Sequence, residues 1–118
     1  MVVIDNKNRV APRVYDDGKT VRGAEKRVLI GPKTGAPNFV MRHFTVAKGG
    51  HSPDHPHPYE HEVYILAGRG SVRFAGESRP VGPGDFVYVP PMDEHKFVNA
   101  GDAPLEFLCI VPSEGDDG

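Results

Sequence analysis

The sequence predicts an all-β fold: a sandwich, a jelly roll or a small antiparallel barrel. Two observations carry that reading and a third supports it. Glycine and proline make up 26 of 118 residues and are spaced between apolar runs rather than clustered, so they punctuate short strands with turns. Seven or eight runs of four to nine residues are rich in β-branched and aromatic side chains, several of them alternating. No segment combines a helical period with capping residues.

Taken in order, residues 1–27 read as a polar N-terminal arm with turn signals at Pro12 and Asp17-Gly18. Within it, Val2-Val3-Ile4 could form a short edge strand. Residues 27–30 look like a strand stopped by Gly31-Pro32, and residues 38–46 (NFVMRHFTV) are the best early strand. One face of that strand carries Phe39, Met41, His43 and Thr45, and the other carries Val40, Arg42, Phe44 and Val46. Both are partly apolar, so period alone does not say which is buried. Further strands are expected at 61–66, 71–75, 86–89, 95–98 and 105–111, with a hairpin turn at Gly76-Glu77. Residues 113–118 form an acidic tail expected to fray. A single domain over 1–118 is the expectation, without repeats or linkers.

Composition narrows the function. A net charge of −2 supplies no overall basic excess to hold a nucleic-acid backbone, and the locally basic stretch from Lys19 to Arg27 reads as a solvated face. The single cysteine excludes an intramolecular disulfide and fits a reducing compartment. No apolar run approaches the ~20 residues of a membrane span, and Met1-Val2-Val3-Ile4 is too short for a signal sequence. The expectation is a cytoplasmic protein without nucleic-acid or membrane partners.

Chemistry concentrates in the stretch GGHSPDHPHPYEHEVYILAGRG (49–70), where four of the six histidines fall within eleven residues. On extended backbone His55 and His57 share a face, and His61 opens the next strand. Neutral imidazole suits zinc, copper, iron and nickel. His95, at the start of a later strand, is the only histidine after His61 and the natural distant partner. His51 reads as a loop histidine. His43 is either a pocket residue or a surface one.

These residues match a known pattern. Gly49-x5-His55-x-His57-x3-His61-x6-Gly68 resembles the first motif of the cupin superfamily, with histidine where glutamate is usual. Gly84-x5-Pro90-x-Met92-x2-His95-x3-Asn99 resembles the second, with Met92 where glycine is usual. The runs KRVLIG (26–31), APNFVMR (36–42), HEV (61–63) and EFLC (106–109) are further shared with small manganese-type monocupins that have an all-histidine site. Counting back from Gly68 puts His61 in the glutamate slot; a register using Glu62 is the alternative.

The resemblance implies a cupin jelly roll with one divalent metal on His55, His57, His61 and His95. Manganese comes first and iron second, with zinc, nickel or copper compatible. Four neutral ligands leave the ion its full charge, which favours bound anions, and octahedral coordination would leave two positions open. A closed tetrahedral zinc site is the rival. If His95 points inward, alternation sends Phe97 inward too. On the last strand Phe107, Cys109 and Val111 share a face opposite Glu106. With Arg42, which either orients an anion or makes a surface ion pair, these residues suggest an apolar pocket, or else ordinary core. Glu60 and Glu62 either orient imidazoles or stay solvated.

The expected function is metal-dependent oxidation of a small, largely apolar, alkenyl or aromatic molecule by oxygen or peroxide. No catalytic residue is expected beyond the metal ligands. A non-redox isomerase or lyase and a non-catalytic binding cupin are the alternatives. A homodimer is expected, covering strand edges.

Overall fold

The computed structural model describes residues 1–53 and 56–116, and its regular elements are strands apart from three short 3₁₀ turns. In chain order these are β1 (Arg13–Tyr15), β2 (Arg22–Ile30), β3 (Phe39–His51), β4 (His61–Ala67), β5 (Gly70–Phe74), β6 (Glu77–Val81), β7 (Phe86–Val89), β8 (His95–Asn99) and β9 (Leu105–Pro112). All pair antiparallel, in the order β6-β5-β8-β3-β9-β4-β7, with β2 laid on β3 and β1 on β2. The sheet curls into a half-barrel, the cupin jelly roll. Among the described residues no helix is long and apolar enough to cross a membrane.

Alternation decides what lies inside. From β3 the inward row is Val40, Arg42, Phe44 and Val46; from β4 it is His61, Val63 and Ile65; from β8, His95, Phe97 and Asn99; from β9, Leu105, Phe107, Cys109 and Val111. Phe107 sits at the centre, stacked on Phe97 at 4.7 Å and on Phe44 at 5.2 Å between ring centroids. Burying each such ring contributes about 1.5–3 kcal/mol.

β3 joins the two halves of the sheet. Its residues from Phe39 to Val46 pair with β9, while His51 at its far end pairs with Val98 of β8. Ser52 reinforces that seam: its N–H donates to the Phe97 carbonyl, and its hydroxyl accepts from the Phe97 N–H, both at 2.8 Å. Asn99 Nδ2 adds bonds to the carbonyls of Val46 and Ala103, both at 2.9 Å.

Several elements differ from the sequence expectation. Val2-Val3-Ile4 is exposed and not a strand; the strand of the N-terminal arm is β1, paired with Ala24–Lys26. β2 starts at Arg22 rather than 27, because Ala24 and Lys26 turn inward although the run lacks apolar alternation. β3 runs on through Gly49 and Gly50 to His51, past the expected end at Val46. A Cβ on Gly50 would stand 2.5 Å from the Arg22 carbonyl oxygen, so glycine here permits strands to approach rather than ending one. β6 (ESRPV) was not expected as a strand. It lies at one edge of the sheet, where Pro80 costs no ladder bond that a central strand would need. The tail does not fray over residues 113–116: Ser113–Gly115 makes a 3₁₀ turn, and Asp116 is buried in ion pairs. Lys26, expected on a solvated face, is one of its partners.

Candidate metal centre and its cavity

Three imidazoles meet on the inner wall. His61 comes from the first position of β4, His95 from the first of β8, and His57 from the segment before β4. His61 lies 5.2 Å from His57 and 5.1 Å from His95 between ring centroids. His55 lies outside the described residues. Glu62 points out to solvent, so strand parity puts His61, not Glu62, on the inner wall.

Each of the three rings is held through the same nitrogen. Nδ1 of His57 is 3.2 Å from the Tyr59 hydroxyl, and Nδ1 of His61 is 3.3 Å from Cys109 Sγ. Nδ1 of His95 donates to the Asp93 carbonyl at 3.1 Å. Fixing one ring nitrogen by an outer partner orients the ring and selects Nε2 for a metal. An imidazole donor set suits a borderline ion such as zinc, copper, iron or nickel. Among the described residues no three His, Cys, Asp or Glu donors already stand at metal-binding separations, so ligation would draw these side chains closer together. His57, His61 and His95, with His55, are the residues that could hold such an ion.

Beside the histidines lies a cavity of about 210 Å³, whose wall includes Arg42, Phe44, Tyr59, Phe97, Phe107 and Cys109. Of the expected pocket residues, Arg42, Phe97, Phe107 and Cys109 line it. Val111 does not: it shares their inward row but is packed into the core. A wider groove of about 600 Å³ runs along β6 and β7, the free edges of the sheet, and reaches His95. Arg42 is buried, not a surface pair. Its Nη2 donates to Cys109 Sγ at 2.9 Å, and Nη1 is 3.3 Å from Asp116 Oδ2. Burial pushes the Cys109 thiol pKa up while Arg42 pulls it down, so the sulfur stays a thiol that accepts bonds. Glu60 accepts from the exposed Tyr88 hydroxyl at 3.1 Å. The imidazoles instead meet Tyr59, Cys109 and Asp93, and Arg42 Nη2 also stands 3.5 Å from His61 Nδ1.

His51 and His43 stand apart from this group. His51 half-buries at the end of β3 and bonds the Ser52 carbonyl at 3.0 Å. His43 faces away from the cavity, yet is buried, with Nε2 3.2 Å from Glu106 Oε1.

Sequence reasoning missed Tyr59, Lys26 and Asp116. Tyr59 had a readable signal: it lies midway between His57 and His61, two residues from each, and stacks on His57 at 5.1 Å. Burial raises its pKa, against the pull of Arg42, and keeps the phenol protonated.

An antiparallel half-barrel with histidines turned in on an aromatic cavity defines the β-barrel class of the jelly rolls. The chain belongs to the cupin family, whose domain profile matches residues 42–111. It is 33% identical over 101 residues to the polyketide synthase CurC of Streptomyces cyaneus, covering 80% of this chain and 66% of that one. It is 39% identical over 84 residues to a glucose-6-phosphate isomerase of Pyrococcus abyssi, covering 66% of this chain and 43% of the isomerase, so it spans less than half of that protein. The structure of the polyketide cyclase RemF from Streptomyces resistomycificus superposes with a TM-score of 0.88 at 29% identity, over 96% of this chain and 80% of that chain.

Proposed function

We propose that this protein is a non-redox cyclase or isomerase of a small, largely apolar carbonyl compound. The observation that carries the reading is the trio of Nδ1-anchored imidazoles beside a small aromatic cavity. Polyketide cyclisation and aldose–ketose isomerisation, the chemistries named for the relatives, both move protons beside a carbonyl without net oxidation. A cavity of about 210 Å³ walled by Phe44, Phe97 and Phe107 favours an apolar ring over a sugar phosphate.

The proposed ion is one divalent cation, manganese first and iron second, on His55, His57, His61 and His95. It would supply Lewis acidity toward a carbonyl oxygen. The chain's own residues supply the rest. The three phenylalanines hold the apolar body and exclude water. If His57 held the ion through Nε2, its Nδ1–H would donate to the Tyr59 oxygen, 3.2 Å away, and the phenol proton would be left for substrate in the cavity. Tyr59 is thus the proposed general acid.

The test is anaerobic turnover of enolisable 1,3-diketones in D2O by the metal-reconstituted protein. Deuterium incorporation beside the carbonyl, or ring closure, is expected without oxidant. Tyr59→Phe should slow it about 10²-fold or more, the usual worth of a positioned proton donor. A second reading, oxidation by oxygen or peroxide, draws support from the two positions that four protein ligands would leave open on an octahedral ion. Turnover that depends strictly on oxidant would replace the first reading with the second.

A further inference from the structure

Lys26 and Arg42 converge on a single oxygen. Lys26 Nζ lies 2.6 Å and Arg42 Nη1 3.3 Å from Asp116 Oδ2. All three side chains are about nine-tenths buried or more, with relative exposures of 10%, 8% and 5%. Both cations also line the histidine cavity, where Lys26 stands over the Tyr15 ring at 5.4 Å and Arg42 over the Phe44 ring at 5.1 Å. Two cations meeting one carboxylate leave a positive balance at a wall that is otherwise largely apolar and aromatic. The carboxylate arrives on the segment after β9, which carries the Ser113–Gly115 turn, a bond from the Ser113 N–H to the Asn38 carbonyl at 3.0 Å, and close packing of Gly115 against Tyr59 and Val111.

We propose that Lys26 and Arg42 form an anion subsite of the cavity, specific for a carboxylate on an apolar body, and that Asp116 is its built-in occupant. An incoming carboxylate takes the place of Asp116 on the two cations while its apolar body enters among Phe44, Phe97 and Phe107. Displacement frees the Asp116 carboxylate from Lys26 and Arg42, so occupancy of the subsite and release of Asp116 are one event. The proposal stands on the ion-pair geometry and is independent of any metal or of the carbonyl chemistry above.

The experiment uses the full chain in excess chelator, so that anions cannot bind through a metal. Benzoate is the probe and benzamide its neutral control, titrated by NMR. Asp116→Asn should bind benzoate at least tenfold more tightly than wild type, with benzamide unaffected. Adding Lys26→Met to Asp116→Asn should abolish the gain. In the wild type, benzoate but not benzamide should shift the amide resonances of Gly115 and Asp116, a readout that needs no variant to fold. Equal benzoate affinity in wild type and Asp116→Asn, a gain that survives Lys26→Met, or unmoved Gly115 and Asp116 resonances would each overturn the proposal.

Discussion

Met92 sits at φ +68, in the left-handed region, at the position where the second motif usually has glycine. Its N–H donates to the His57 carbonyl at 2.6 Å, so the strained residue ties the loop before His95 to the segment carrying His57. An L side chain there costs about 1–2 kcal/mol, part of which glycine returns as lost freedom on folding. Met92→Gly should therefore raise stability by about 0.5–1 kcal/mol in urea melts, with the histidine cluster unchanged. His43 gives a pH prediction. Burial lowers its pKa below 6.5, Glu106 opposes that, and the charges of Lys7 and Arg27 add to it. The folded state thus resists protonation that the unfolded chain accepts. The stability linked to His43 is complete above about pH 6.5 and is lost as pH falls toward the lowered value, with a slope of at most about 1.4 kcal/mol per pH unit. His43→Leu should flatten stability between pH 5 and 7, measured by denaturant titration; an unchanged slope would assign the effect elsewhere. The inward direction of His61 was legible because strand parity and the count to Gly68 fix it. The burial of His43 was not, because it depends on what covers the outer face of β3.

At the scale of elements, strands with apolar alternation were read from sequence and polar ones were not. β4, β7, β8 and β9 announce themselves by valine, isoleucine, leucine and phenylalanine. β6 is a strand only because β5 offers it a ladder across the turn at Ala75-Gly76, whose positive φ values of 48° and 76° suit a tight hairpin. The inward turn of Lys26 has the same kind of cause: its place follows from pairing with Phe44 on β3, not from its own hydropathy. The β4–β5 connection is the most sensitive joint. Gly68 has φ +80, and a Cβ there would stand 2.2 Å from the Pro104 carbonyl oxygen. Gly68→Ala should lose more than about 2 kcal/mol, seen as a lowered urea midpoint, because backbone strain and the clash add. Phe97→Ala should cost about 3–5 kcal/mol, since it removes a fully buried ring stacked on Phe107.

For the whole molecule, the outer face of β4 and β7 shows Tyr64, Leu66, Phe86 and Tyr88, with Phe86 83% exposed. We propose that this face pairs two copies of the chain. Sedimentation or light scattering should show a dimer, and Phe86→Glu with Tyr64→Glu should give a monomer; a monomeric wild type would sink the proposal. The seam at the end of β3 has a consequence for how the molecule opens. β5, β6 and β8 hang on β3 through His51, Ser52 and Asn99, whereas β4 and β9 share long ladders with the rest. Amide hydrogens of β5 and β8 should therefore exchange through a partial opening, well before those of β9. His95 belongs to the half that opens, and His57 and His61 to the half that stays. Any ion gripping all three would rivet the two halves together, and its binding energy would be read as slowed exchange in β8 and a higher melting temperature.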